Sequence, residues 1–283
     1  MVVSENPSAL RLLVFTDLDA TLLDEHYVWA PAASAIERLK GGGHTIVLSS
    51  SKTLAEMREL ATELGLNAPL VAENGATIAI PSTSEFLEST DQGPVQGGYV
   101  IYNQGLARPE ILELAHRLRK DQRLKFQGFS DWDAGEVASR TGLDLESAGR
   151  ALERHGTEPI LWHDTEERWE GFKTSLNESG ILAIRGGRFI HLMGDTDKAR
   201  GLGEVVRRAS MLEAWKTRRV IALGDSPNDL KMLSAADIAV VIPNRHHNEE
   251  LKPSTSEVLY PSAFGPLGWN SAIHEIMDDL GLD

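Results

Sequence analysis

Two aspartates one residue apart end an apolar run near the start of the chain, and no other feature limits the fold so tightly. Residues 14–24 read Val-Phe-Thr-Asp-Leu-Asp-Ala-Thr-Leu-Leu-Asp. Leu12–Phe15 suits a strand buried on both faces of a parallel sheet, whereas Asp17 and Asp19 do not suit an interior. The acids therefore belong where the strand stops, at the carboxyl edge of the sheet, where open α/β sheets place their ligand sites. Carboxylates this close repel unless a cation lies between them or one keeps a proton. A lone Asp-x-Asp is more often a solvated turn; three further segments change that balance.

Val220–Leu233 repeats the arrangement: an apolar run, Gly224, then Asp225, Ser226-Pro227, Asn228 and Asp229. Ser226-Pro227 starts a helix, with proline at an early position that needs no amide donor. Asp225 and Asp229 are four apart and can share one face of a first turn. A third apolar run, Ile46–Leu48, ends in Ser49-Ser50-Ser51-Lys52-Thr53, where any one hydroxyl is explained by capping a helix over Leu54–Leu64. Lys198 precedes a further helical stretch over Gly203–Ala209, and taken alone it reads as a solvated lysine.

Apolar runs alternate with helical patterns. Strands are expected at Leu12–Phe15, Thr45–Leu48, Pro69–Ala72 and Thr77–Ile80, and again at Val220–Leu223, Ile238–Ile242 and Glu257–Leu259. Helices fall between them at Pro31–Lys40, Leu54–Leu64 and Asp229–Ala235, with a closing one at Trp269–Leu280. That alternation predicts an α/β fold with a parallel sheet covered on its faces. Ser82–Gly98, rich in Ser, Thr, Gly, Pro and acids, reads as a boundary loop. Beyond it come strands at Tyr99–Tyr102, Leu124–Gly128, Ile160–Trp162, Ile181–Ile184 and Phe189–Leu192, with helices at Pro109–Lys120, Ser147–Arg154 and Glu166–Glu178. The expected division is a core over residues 1–85, an inserted α/β unit over 86–192, and the rest of the core over 193–283.

Composition closes off several function classes. The chain has 283 residues and no cysteine, so disulfides and thiolate metal sites are excluded. Its net charge of −14 argues against nucleic acids and anionic membranes as partners. No stretch approaches the roughly 20 apolar residues that span a bilayer, and Met1–Leu10 lacks a signal pattern, so the expected location is cytoplasmic. A monomer or weak homodimer is expected. An anionic substrate would need cations supplied locally.

Taken together and in this order, the four segments resemble the haloacid dehalogenase superfamily of phosphohydrolases. Asp17 and Asp19, Ser50, Lys198, and Gly224-Asp225 with Asn228-Asp229 match its four motifs. A closer likeness, to the mannosyl-3-phosphoglycerate phosphatase family of subfamily IIB, is carried by several short runs. They are Ser50–Thr53 with Glu56, Glu73-Asn74-Gly75-Ala76, Phe129–Trp132, Glu158-Pro159-Ile160 and Arg185–Phe189. The resemblance implies a Rossmann-like core with a mixed α/β cap. It also implies Mg²⁺ held by side chains of Asp17 and Asp225 and the main-chain carbonyl of Asp19, with Asp229 as a ligand or its support. By the same likeness Asp17 is the nucleophile that forms an acyl phosphate, and Asp19 the acid and base. Ser50 and Lys198 hold phosphate, and Glu73, Asn74 and Asn228 support the site. In the cap, Glu158, Arg185, Gly186 and Arg188 are candidates for the rest of a phosphorylated glycoside, because arginine binds carboxylates bidentately. A hairpin turn with solvated arginines explains the same run equally well, and His191 reads as a structural histidine. The family usually has glycine after the second acid, where this chain has Ala20. A left-handed backbone there would cost alanine about 1 kcal/mol or more. The implied activity is hydrolysis of a glycosyl-3-phosphoglycerate. Another sugar phosphate, a phosphomutase reaction and a non-catalytic sugar-phosphate sensor are the alternatives.

Overall fold

The computed structural model describes residues 10–185, 188–245 and 251–283. In chain order the strands are β1 (Arg11–Thr16), β2 (Thr45–Ser49), β3 (Leu70–Ala72), β4 (Thr77–Pro81), β5 (Val95–Gln96), β6 (Tyr99–Asn103), β7 (Phe126–Gly128), β8 (Thr157–Trp162), β9 (Ile181–Arg185), β10 (Ile190–Gly194), β11 (Arg218–Gly224), β12 (Ile238–Val241) and β13 (Glu257–Leu259). The helices are α1 (Ala33–Gly41), α2 (Leu54–Glu63), α3 (Arg108–Gln122), α4 (Ala134–Thr141), α5 (Leu145–Leu152), α6 (Glu166–Asn177), α7 (Lys198–Ser210), α8 (Leu230–Ser234) and α9 (Gly265–Asp279).

Nine strands form one large sheet in the order β13-β12-β11-β1-β2-β3-β4-β6-β5. From β13 to β3 all neighbours are parallel, and β1 lies at the centre between β11 and β2. Alternation along β1 explains why both faces need helices. Leu12 and Val14 pack with Ile36, Leu39, Met57 and Trp269, so α1, α2 and α9 cover one face. Leu13 and Phe15 pack with Leu202, Val205 and Met232, so α7 and α8 cover the other. Full burial of such side chains contributes roughly 1.5–3 kcal/mol each, enough to hold this central strand in register.

The expectation that Tyr99–Tyr102 opens the inserted unit is not what the structure shows. β6 pairs antiparallel with β4 over five positions, from Thr77↔Asn103 to Pro81↔Tyr99, and belongs to the large sheet. The reason is an edge: β4 carries buried Ile78 and Ile80, and without β6 its outer row of backbone groups would face water beside them. The chain leaves the large sheet only after Asn103. Four strands then form a second, antiparallel sheet in the order β7-β8-β10-β9. One face of it, with Ile181, Ala183, Ile190 and Leu192, packs on Ile111, Trp169 and Phe172 of α3 and α6. The helix α4, absent from the sequence expectation, is capped by Asp133 and packs Val137 against Phe129 and Trp132. Among the described residues no helix is long and apolar enough to cross a membrane.

A buried histidine ties the first strand to the loop before the second. His44 Nδ1 accepts a hydrogen bond from the Leu12 N–H at 3.2 Å, which requires a neutral ring. Burial, with Arg11 nearby, pushes His44 down to about 4 from its ordinary 6.5. The unfolded chain takes up that proton near pH 6.5 and the folded chain does not, so stability is full above pH 6.5 and falls as the pH drops towards 4. The melting temperature should therefore decline across this window. A His44→Gln variant, which keeps an acceptor and has no proton to gain, should show a shallower decline by calorimetry.

Candidate active site

The parallel register of β1 and β11 delivers two acidic loops to one place. Thr16 pairs with Leu223, and the Asp17 N–H then donates to the Leu223 carbonyl at 2.9 Å. Asp17 and Asp225 therefore emerge side by side at the carboxyl edge of the sheet. Gly224 lets the second loop close, because a Cβ there would meet Asp229 Cβ at 2.5 Å. Asp229 is fully buried, and its Oδ2 accepts from the Asp225 and Ser226 N–H groups and from Ser226 Oγ at 3.0–3.2 Å. Asp225 accepts from Thr21 Oγ1 at 2.9 Å and from the Asn244 side-chain amide.

Lys198 is the first residue of α7 and lies buried between the two loops. Its Nζ donates to Asp17 Oδ1 at 2.5 Å and to Asp229 Oδ1 at 2.6 Å. Burial opposes its charge, but the two carboxylates outweigh burial and hold it above the ordinary lysine range. One ammonium against three carboxylates leaves the cluster short of positive charge. Burial raises Asp17 well above its ordinary value, and repulsion from Asp229 and Asp225 adds to the rise, against the pull of Lys198. Asp225 is raised as well, by burial and then by Asp229.

Asp19 stands apart from this cluster. Its side chain is half exposed, and Lys52 Nζ reaches its Oδ2 at 3.2 Å while lying 4.8 Å over the ring of Tyr27. Between the two acids and the rest of the loop, Ala20 adopts φ 59°, the left-handed region that favours glycine. Thr53 and Glu56 form a reciprocal cap at the start of α2, which fixes the Ser50–Lys52 loop beside Asp19.

A cleft of about 700 Å³ opens above the cluster. Its floor includes Asp17, Lys198 and Asp225, its rim Asn74, Asn228 and Lys231, and its roof comes from β9 and β10 of the second sheet. Ser50 is buried behind this wall, its Oγ accepting the Lys52 N–H at 3.2 Å, and Ser51 forms the wall itself. Asn228 donates to Asn74 Oδ1 at 3.4 Å across the rim. Glu73 is fully buried behind Asn74, and its carboxylate accepts from His155 N–H at 2.7 Å, Gly156 N–H at 3.2 Å and Thr157 Oγ1 at 2.5 Å.

Among the described candidates of the second sheet, only Arg185 reaches the cleft, and it also pairs with Glu166 at 2.8 Å. Glu158 is buried elsewhere, held by Arg108 at 2.7 Å and by the Ser130 N–H. Arg188 donates to the carbonyls of Arg140 and Thr141, the last turn of α4, where exposed acceptors attract a cation. Gly186 lies outside the described residues. Sequence reasoning missed Thr21 and Asn244, the partners of Asp225, and Lys231, which pairs with Asp197 at 2.8 Å on the rim. It also missed the cleft position of His191. Alternation of Leu182 with Ile184 and of His191 with Met193 was the available signal for the roof.

Comparison with known proteins decides the family. The profile of haloacid dehalogenase-like hydrolases matches residues 14–93 and 153–259. The chain belongs to this family. It is 32% identical over 271 residues to a glucosyl-3-phosphoglycerate/mannosyl-3-phosphoglycerate phosphatase of Methanococcoides burtonii, covering 95% of this chain and 98% of that one. Among solved structures, a haloacid dehalogenase-like hydrolase from Bacteroides thetaiotaomicron superposes with a TM-score of 0.67 at 18% identity, covering 95% of this chain and all of that one. A sugar phosphatase of HAD subclass IIB does so with a TM-score of 0.60 at 17% identity, over 97% and 100% of the two chains. These two structures share the fold.

As a haloacid dehalogenase-like hydrolase, the chain fits a divalent cation at its acidic cluster. Oxygens of Asp17, Asp225 and Asp229 lie within 4.8 Å of one another, all three residues are buried, and Lys198 alone does not balance their charge. An all-oxygen donor set suits a hard cation. The left-handed Ala20 yields the sharpest test of this loop. Replacing it with glycine removes the steric cost and adds some unfolded-chain entropy, for a net gain of about 0.5–1 kcal/mol. Ala20→Gly should raise the denaturant midpoint without changing the slope of the transition.

Proposed function

We propose that this haloacid dehalogenase-like hydrolase is a Mg²⁺-dependent phosphatase that releases phosphate from a glycosyl-3-phosphoglycerate, mannosyl or glucosyl. The observation that carries the reading is Asp17 at the cleft floor, bonded to Lys198 and flanked by Asp225 and Asp229. The full-length relationship to the M. burtonii phosphatase supports the substrate class. That alignment spans nearly the whole chain, the second sheet included.

In this reading Asp17 attacks phosphorus and forms a phosphoaspartate, and water then opens it. The 2.5 Å bond to Lys198 orients the attacking carboxylate and places a positive charge where the transferring group gathers negative charge. Asp229 takes no part in bond making. It holds Lys198 and the Asp225 loop in position through both of its oxygens. Asp19, half exposed and outside the cluster, protonates the leaving oxygen and later takes a proton from the attacking water. Asp17 and Asp225 would hold Mg²⁺, which when bound would supply the charge that lets a carboxylate meet an anionic ester. Lys231 and Arg185 offer cations at the cleft margin to a glycerate carboxylate, in a chain whose net charge is −14.

Phosphate release should be measured on mannosyl-3-phosphoglycerate, glucosyl-3-phosphoglycerate, a hexose 6-phosphate and p-nitrophenyl phosphate. The glycosyl-3-phosphoglycerates should give the highest kcat/KM. A hexose phosphate turned over better than both would overturn the substrate assignment. Asp17→Asn should lower release from every ester by several orders of magnitude, and near-normal turnover would rule out the covalent route.

Chelation tests the metal on its own. Activity should vanish in excess chelator and return with added Mg²⁺. Full activity after exhaustive chelation would remove the cation from this account.

A further inference from the structure

We propose that His191 reads the uncharged, hydroxyl-bearing part of the substrate, so that it sets the preference for a glycosylated phosphate ester over a bare one. The inference rests on the phosphatase reading above and assigns a residue to its least defined feature.

The roof of the cleft is made by two cross-strand pairs. His191 lies opposite Ile184, and Met193 opposite Leu182, in the register of β9 and β10. All four side chains line the cleft, and the alternate residues of both strands face the second sheet's own core. Three of the four are apolar, so His191 is the polar member of this roof. Arg185, at the end of β9, is the cation at its margin.

His191 offers one ring nitrogen to a ligand in the cleft. Its Nδ1 is shielded from water and has no hydrogen-bond partner among the described residues. An atom that water cannot reach is also closed to a molecule in the cleft, so a ligand there would meet the other ring nitrogen, Nε2, which is not shielded in this way. Burial, with the nearby Arg154, pushes His191 down to about 4, against the opposing pull of Glu73. The ring is therefore neutral at pH 7, with one donor and one acceptor.

Neutrality selects the ligand chemistry. A phosphate or carboxylate accepts hydrogen bonds only, and the cations for it sit elsewhere: Lys198 on the floor, Lys231 and Arg185 at the margins. A sugar hydroxyl both donates and accepts, which suits a neutral imidazole. The C–H face of a pyranose also suits the apolar Leu182, Ile184 and Met193 beside it. The anionic end of the substrate thus belongs at the floor and margins, and the polyol under the roof.

The test compares wild type, His191→Phe and His191→Gln on mannosyl-3-phosphoglycerate, 3-phosphoglycerate and p-nitrophenyl phosphate. Wild-type turnover of the glycosylated ester tests the phosphatase reading alone. The ratio of variant to wild type across the three esters tests His191 alone. His191→Phe should raise KM for the glycosylated ester about tenfold or more, with kcat/KM for the two bare esters within twofold of wild type. Turnover of the bare esters also reports that the variant is folded. His191→Gln, which restores a donor and an acceptor, should recover much of the loss. An equal fall on all three esters, or no change on any, would overturn the assignment.

Discussion

Three buried carboxylates share one buried ammonium, and much of the molecule is arranged around that imbalance. Removing one partner from a buried ion pair typically costs 3–5 kcal/mol, so Lys198 cannot be lost without a stability penalty. Yet the cluster is not at an energy minimum for folding. Asp17 and Asp225 are both pushed up, first by burial and then by repulsion from Asp229, so their charged forms are harder to hold here than on an exposed aspartate. A fold that only needed stability would place apolar residues there. The arrangement makes sense where a cation and a phosphate group complete it. Supporting residues follow from the same constraint: Gly224 lets Asp229 approach, Thr21 and Asn244 hold Asp225, and Thr16 is pinned by the Trp269 indole at 3.0 Å.

A second constraint joins the two sheets. The turn at residues 73–76 carries two successive non-glycine residues in left-handed conformation, Glu73 at φ 52° and Asn74 at φ 55°. Such conformations cost of order 1–3 kcal/mol each and persist where surroundings over-determine them. Here the surroundings are visible. The Glu73 carboxylate takes the His155 and Gly156 N–H groups where the chain enters β8. The Ala76 carbonyl accepts from the Gln104 N–H, and the Gly75 carbonyl from Thr196 Oγ1, so both crossovers between the sheets rest on this turn. Burial disfavours the Glu73 charge, but hydrogen bonds from His155 and Thr157 and the charge of Arg154 hold it below its ordinary value. Gly75 is required there, since at φ +88° a Cβ would meet the Asp197 carbonyl at 2.1 Å. That contact places Lys198, the next residue, against the same turn. The cleft roof and the lysine of the floor are thereby referenced to one point.

The linear chain already carried the core of the site. Apolar runs at Leu12–Phe15 and Val220–Leu223 end in acids, and a run that ends in acids has one physical solution: a buried strand whose edge faces a site. Asp17, Lys198, Asp225 and Asp229 meet within bonding distance because each is adjacent to an element whose type is locally encoded. The large parallel sheet was legible for the same reason. What was not legible depended on pairing between distant segments. Tyr99–Tyr102 reads as a strand in isolation, but only the exposed edge of β4 decides which sheet it joins. Glu158 and Arg188 look like cleft residues by their position near recognisable runs. Arg108, fifty residues earlier, and the open carbonyls at the end of α4 claim them instead. His191 reads as packing until the register of β9 and β10 turns its face towards the cleft. Local order determines which residues are strands, helices and chemically reactive loops, because backbone propensity and burial of alternate side chains act over a few residues. Tertiary structure decides which partner each charge finds and which face of a sheet meets the substrate, because those depend on strand register and on groups a hundred residues away.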